Sequence, residues 1–224
     1  MGNLAHKANF PRTWFFGTCF TWGYGCRPGY DFYNRFKKEG DERWTRHVCK
    51  ELMCHEQIRA KPLYGTVPQT IKVLLNQLRN IRPGDLVIIE QGIPHGILKI
   101  SEDKKSVQNA AHFDMSSDKL WFNEEDKRIG LEYLNHNIIG NEEVWTKYYR
   151  EQIDDLRGLL AEKNVKSIVF DPDGTCVTDQ FERIRDVDKD SPHDLHYSWK
   201  GHKQVAEYIL DKVRRKEFLK RTLV

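Results

Sequence analysis

Apolar and polar positions along the chain fall into two alternating rhythms, short unbroken apolar runs and longer stretches with helical spacing. "RTWFFG" (12–17) is brief, aromatic and closed by Gly17, the pattern of a buried strand. A glycine- and aromatic-rich loop (23–30) follows. "DERWTRHVCKELMCHEQI" (41–58) then sets Trp44, Val48 and Leu52 on one helical face, with Met53 as a further candidate. "KPLYG" (61–65) reads as a short strand. "VPQTIKVLLNQLRNI" (67–81) reads as a helix opened by Pro68, with Ile71, Leu74, Leu75 and Leu78 as its apolar stripe. "RPGDLVIIEQG" is a turn feeding a continuous apolar strand at 86–89, as expected in the middle of a parallel sheet.

Residues 93–141 break this rhythm, with a hairpin predicted around the charged turn at 101–106 and irregular chain beyond it. From 142 to 163 runs the longest helical pattern, then a buried strand "VKSIVFDP" (165–172) and a final amphipathic helix (198–215). Strands alternating with helices predict an α/β fold with a mostly parallel sheet. No internal repeat or low-complexity linker interrupts it, so one domain with an insertion at 93–141 is the simplest organisation. Such sheets bind ligands outside the carboxyl ends of their strands. Here those ends are Gly17–Cys19, Gly65–Thr66, Gly92–His95 and Asp171–Thr175, with the loop "SPHDLHYSW" at the same edge.

Composition narrows the function classes. With 36 basic and 33 acidic residues the net charge is only +3, too weak a field to select nucleic acid or an anionic membrane. The basic tail "KVRRKEFLKR" is read as a solvated helix end or as a docking patch. Five cysteines are an odd number in a chain large enough to fold without staples. No secretion signal opens the chain, and no apolar run reaches the ~18 residues of a membrane span. Free thiols in a reducing, cytoplasmic setting are expected.

Two motifs compete for the chemistry. "IVFDPDGTCVTD" (168–179) resembles the opening motif of haloacid dehalogenase-like phosphatases, which implies Asp171 as phosphoryl acceptor and Asp173 as general acid. That motif normally opens its domain, whereas here it falls near the end, and a strand closing in a Pro-Asp-Gly turn has the same sequence.

The other motif is spread along the chain. "FFGTCFTWGYG", "DLVIIEQG" and "DLHYSWKGHKQVAEYI" resemble, in order and spacing, the blocks of SGNH (GDSL-type) hydrolases. The resemblance implies a three-layer α/β/α sandwich with a mostly parallel, flavodoxin-like sheet. It puts Cys19 at the nucleophilic serine, His196 at the catalytic base and Asp194 at its orienting acid. "DLH" is one residue shorter than the family's Asp-x-x-His, and His193 precedes Asp194. Gly65 and Gly92 match glycines of the second and third blocks, and His95 follows Pro94, which stands at the position of the family's oxyanion-binding asparagine. Proline has neither an N–H nor a side-chain donor, so His95 is the candidate substitute donor.

A cysteine can replace the serine, because a thiolate is a strong nucleophile and an adjacent imidazole lowers its pKa. The resemblance therefore implies acyl-ester hydrolysis through Cys19, His196 and Asp194, on a small-molecule or glycan ester, without cofactor or metal. It equally admits a catalytically degenerate domain kept for binding or assembly, as in a phage particle, with the 93–141 insertion as the assembly surface. The aromatics of "TWGYGCRPGYDFY" suit either stacking on sugars or core packing. His47, Cys49, Cys54 and His55 superficially suggest zinc, but their spacing matches no pair of ligand hooks.

Overall fold

The structure is a computed structural model. It describes residues 10–18, 21, 43–60, 66–91, 97–100, 107–110, 125, 128–129, 132–133, 136, 141–172, 183–184, 189–191 and 194–215. Among these, residues 60, 97–100, 107–110, 142–143, 146, 171–172, 183–184, 189–191, 194–196 and 199 are described in backbone only.

The elements in chain order are β1 (Arg12–Gly17), α1 (Trp44–Leu52), β2 (His55–Ala60), α2 (Val67–Gln77), β3 (Leu86–Glu90), β4 (Ile97–Ile100) and β5 (Val107–Ala110). They continue with α3 (Glu142–Glu162), β6 (Lys166–Pro172), β7 (Arg183–Ile184), β8 (Lys189–Ser191), β9 (Asp194–Tyr197) and α4 (Trp199–Arg214). The main sheet runs β2-β1-β3-β6-β7, and every pairing in it is parallel. Counted along the chain, that is the flavodoxin-like order 2-1-3-4-5. β4 and β5 form a separate antiparallel hairpin, as the charged turn at 101–106 predicts, and β8 and β9 form another.

Strand alternation divides the core in two. Phe15, Leu86, Ile88, Ile168 and Phe170 face α1 and α4, whereas Trp14, Phe16, Val87 and Ile89 face α2 and α3. Both faces of β1 and β3 are therefore covered, which explains their unbroken apolar runs. On the first face Trp44 of α1 meets Phe15 and Phe170 edge-on, with ring centroids 5.2 and 5.5 Å apart. Burying an aromatic of this size contributes about 2–3 kcal/mol.

Three local expectations change. The helix predicted over 41–58 ends at Leu52, and His55–Ala60 is instead the edge strand β2. Met53, expected on the buried face, turns left-handed (φ 51°) and lies exposed. The four-residue spacing of Trp44, Val48 and Leu52 stops there because β2 must turn back to pair with β1. On α2, Ile71 and Leu74 are buried but Leu75 faces solvent, the buried stripe being narrower than the apolar one. Residues 61–65, where a strand was predicted, lie outside the described residues.

The turn into β3 follows from its sequence. Arg82-Pro83-Gly84-Asp85 closes with the Asp85 N–H donating to the Arg82 carbonyl at 3.1 Å, and Gly84 has φ +86°. Proline then glycine with positive φ is the requirement of a type II turn. Asp85 is buried beneath it, accepting from Arg12 Nη2 (2.8 Å), Trp14 Nε1 (2.8 Å) and the Arg82 N–H (3.0 Å).

Candidate functional site

In this strand order the chain leaves β1 toward β2 on one side and reaches β6 from β3 on the other. The carboxyl ends of β1 and β3 thus border the crevice where such sheets bind ligands. The described residues at that crevice are Gly17, Thr18, Thr21, Glu90 and Gln91.

Glu90 is fully buried at the end of β3. Thr18 Oγ1 donates to its Oε1 at 2.6 Å, and Thr21 Oγ1 donates to its Oε2. The backbone N–H groups of both threonines also support the carboxylate. Burial is the dominant influence and raises the Glu90 pKa to about 7, with the threonine hydrogen bonds opposing it. Gly17 makes the approach sterically feasible. A Cβ there would overlap Thr21 Oγ1 and stand only 2.8 Å from both Cβ and Oε2 of Glu90.

Glu90 therefore holds the chain on both sides of residues 19 and 20. Neither Glu90 nor its threonine partners were singled out as site residues from sequence. A usable signal existed: a carboxylate ending the apolar run "LVIIE" in a central strand must find hydrogen-bond donors. Gln91, next along, is buried, and its N–H donates to the Phe170 carbonyl at 2.8 Å, extending the β3–β6 ladder.

The beginning of α4 forms a second part of this edge. Ser198 caps it, its Oγ accepting from the N–H groups of Lys200 (3.1 Å) and Gly201 (3.2 Å). His202, expected from sequence only to help the helix begin, lies fully buried, and its Nδ1 accepts the Trp44 N–H at 3.4 Å. Because α1 ends where β2 starts opposite Arg12, its first residue lies toward the carboxyl end of β1. The His202–Trp44 bond consequently brings the start of α4, and the end of β9 before it, to the same edge as Gly17 and Glu90. The segment predicted as the loop "SPHDLHYSW" contains a strand, with Ser191 opposite Asp194 and Lys189 opposite Tyr197.

Of the sequence-predicted site residues, Asp194 and His196 lie in the backbone of β9. Cys19, Gly65, Gly92 and His95 lie outside the described residues, as do Pro94, Asp173 and His193. Asp171 lies in the backbone of β6, opposite Arg183 of β7. The His47, Cys49, Cys54 and His55 set is divided between α1, the turn after it and β2. Among the described residues, no three or more His, Cys, Asp or Glu side chains are grouped to hold a metal ion. Among the same residues no helix is long and apolar enough to cross a membrane.

No family model matches the chain, and no curated protein matches it in sequence. Among solved structures, the chain overlaps a carbohydrate esterase whose active site displays divergent catalytic and non-catalytic binding functions. The TM-score is 0.50 at 13% identity, covering 96% of this chain and 70% of that one. A member of the lipolytic G-D-S-L family from Veillonella parvula gives 0.46 at 10% identity, covering 91% and 98%. A GDSL-like lipase from Bacteroides thetaiotaomicron gives 0.42 at 11% identity, covering 97% and 93%. The class is a three-layer α/β sandwich with a flavodoxin-like parallel sheet. Within that class the chain has an SGNH (GDSL-type) hydrolase-like fold.

Proposed function

We propose that the protein hydrolyses acyl esters through a thiol, with Cys19 as nucleophile, His196 as general base and Asp194 as the acid that orients it. The observation that carries this reading is the pair of anchors at the crevice. Thr18 and Thr21, the residues flanking Cys19 and Phe20, are both bonded to the buried carboxylate of Glu90. A reactive group gains rate from being held in one geometry, and the described residues on either side of Cys19 and Phe20 are both tied to Glu90. The position of β9 before the start of α4 supports the roles of His196 and Asp194.

In the reaction His196 takes the thiol proton as the sulfur attacks the ester carbonyl, forming a C–S bond. The proton passes to the departing alkoxide as the C–O bond breaks. Water then attacks the thioester while His196 removes its proton, the carboxylic acid leaves and the thiol is restored. Backbone N–H groups at Gly65 and Gly92, with His95, are the proposed oxyanion partners. An acylated glycan is the proposed substrate class, by analogy with the carbohydrate esterase of similar fold.

One observation favours a second reading. Pro94 stands where the resemblance puts an oxyanion-binding asparagine, and loss of one such donor typically costs ~10²–10³ in kcat. A domain that binds the glycan without cleaving it follows if no other group supplies that bond. The test is hydrolysis of an activated acetyl ester by the wild type beside Cys19→Ala and His196→Ala. Hydrolysis falling to background in both variants supports the esterase; rates equal to a near-blank wild type support the binding domain.

A further inference from the structure

At the other end of the sheet, α1 closes in a Schellman motif. Met53 is left-handed (φ 51°, ψ 46°), and the Cys54 N–H donates back to the Cys49 carbonyl at 3.1 Å. This 6→1 bond brings together the side chains at its two ends, which are commonly an apolar pair. Here both are cysteines, and both are free thiols.

The two cysteines meet at the cap, Cys54 Sγ lying 3.9 Å from the Cys49 carbonyl oxygen, and have different surroundings. Cys49 is buried in the core formed with α4, whereas Cys54 is half-buried. Cys54 Sγ lies 3.0 Å from Thr13 Oγ1, near the start of β1. The neighbouring Cys49 thiol and then the Thr13 hydroxyl favour its thiolate, lowering its pKa to about 7 against the opposing effects of burial and Glu56. The neighbouring Cys54 sulfur, followed by burial, pushes the Cys49 thiol up, with Glu56 adding to the rise and Arg46 opposing it. One sulfur is therefore suited to attack, and its neighbour to remain a thiol until needed.

We propose that Cys49 and Cys54 form a thiol–disulfide exchange site for a low-molecular-weight disulfide of the glutathione class, with Cys54 attacking and Cys49 resolving. The Cys54 thiolate bonds to one sulfur of the disulfide, whose S–S bond breaks, and one thiolate leaves and takes up a proton. Cys49 then attacks the Cys54 sulfur, losing its proton to solvent. The second small thiolate departs and is protonated, and a Cys49–Cys54 disulfide closes across the helix cap. Two protein thiols are oxidised and one disulfide is reduced to two thiols. The site is separate from the crevice, because Thr13 and Cys54 lie at the amino ends of β1 and β2.

The experiment is incubation of the full chain with glutathione disulfide at pH 7, acid quench, alkylation and peptide mass spectrometry, which separates these sulfurs from Cys19, Cys26 and Cys176. The wild type should form the Cys49–Cys54 disulfide with little lasting glutathione adduct, and Cys49→Ala should accumulate the adduct on Cys54. Cys54 in Cys49→Ser should react about threefold faster folded than in denaturant, a gain in thiolate fraction offset by lower intrinsic nucleophilicity. A lasting adduct on Cys54 in the wild type, first addition at Cys49, or equal folded and unfolded rates at Cys54 would each overturn the proposal.

Discussion

Thr18 at the end of β1 donates its hydroxyl to Glu90 at the end of β3, 2.6 Å away and shielded from solvent. With Thr21 on the other carboxylate oxygen, Glu90 ties the chain beyond β1 to the centre of the sheet. Glu90→Ala leaves buried donors without their acceptor, and each such group costs about 1–3 kcal/mol. The expected loss is about 3 kcal/mol by urea denaturation, with Glu90→Gln losing less because its amide oxygen still accepts. On the proposed reaction Glu90→Gln should lower kcat more than it changes KM, as befits a positioning residue.

Glu90 also imposes a pH dependence with a definite sign. Its folded pKa is about 7 against an ordinary 4.5, so between these values the folded chain holds a proton that the unfolded chain has released. The contribution is complete below about 4.5 and is lost as pH rises through 7. Its size over that range is about 3 kcal/mol. Urea midpoints measured from pH 4.5 to 8 should fall less steeply in Glu90→Gln than in the wild type. Parallel profiles in the two proteins would show that Glu90 does not titrate in this window.

The apolar runs at 12–17, 86–89 and 165–172 made three sheet strands legible, because strands covered on both faces need hydrophobic residues throughout. β2 was hidden for the opposite reason. "HEQIRA" is an edge strand carrying charge, as sheet edges often do, and it follows a helix that ends at Leu52, with Met53 and not a glycine in the left-handed position that marks the stop. Glu90 escaped notice because its partners depend on which strands are adjacent, a property of sheet order and not of local pattern. Strand alternation located the crevice, as it does for any such sheet, and the resemblance identified the fold. It could not reveal a carboxylate supporting the turn from an adjacent strand.

Gly17→Ala tests the closeness of that crevice directly. The added methyl would stand 2.8 Å from Glu90 Cβ and would overlap the Thr21 hydroxyl. Relief requires moving backbone or breaking the Glu90–Thr21 bond, and overpacking of this kind costs about 1–3 kcal/mol. A Gly17→Ala protein as stable as the wild type would mean the turn can move aside without loss.

Asp85 should matter for stability alone, being at the amino end of β3. Asp85→Ala leaves Trp14 Nε1 and the Arg82 N–H without their carboxylate, and removes the partner of Arg12. Arg12 is a quarter exposed and can turn toward water, so the cost is about 3 kcal/mol, toward the lower end for a broken buried pair. Thermal or urea unfolding measures it. Ester hydrolysis at a temperature where the variant remains folded should be unchanged.

The start of α4 offers the sharpest separation of packing from hydrogen bonding. α1 has no side-chain cap, since Arg43 precedes it without such a bond, and the Trp44 N–H is served across the fold by His202. His202→Phe retains a ring of similar size against Tyr197, whose ring meets it edge-on at 5.6 Å, but removes the acceptor. A lost acceptor for a buried N–H predicts a loss of about 1–3 kcal/mol, beside about 1 kcal/mol for Ser198→Ala at the α4 cap. Ser198 and His202 are neighbours at the start of α4, the His202 N–H donating to the Ser198 carbonyl at 2.9 Å, so the two costs are expected to couple and not simply to add. At 3.4 Å the His202 bond is longer than most N–H contacts. If His202→Phe unfolds at the wild-type urea midpoint, ring packing alone couples α4 to α1, and the bond contributes nothing measurable.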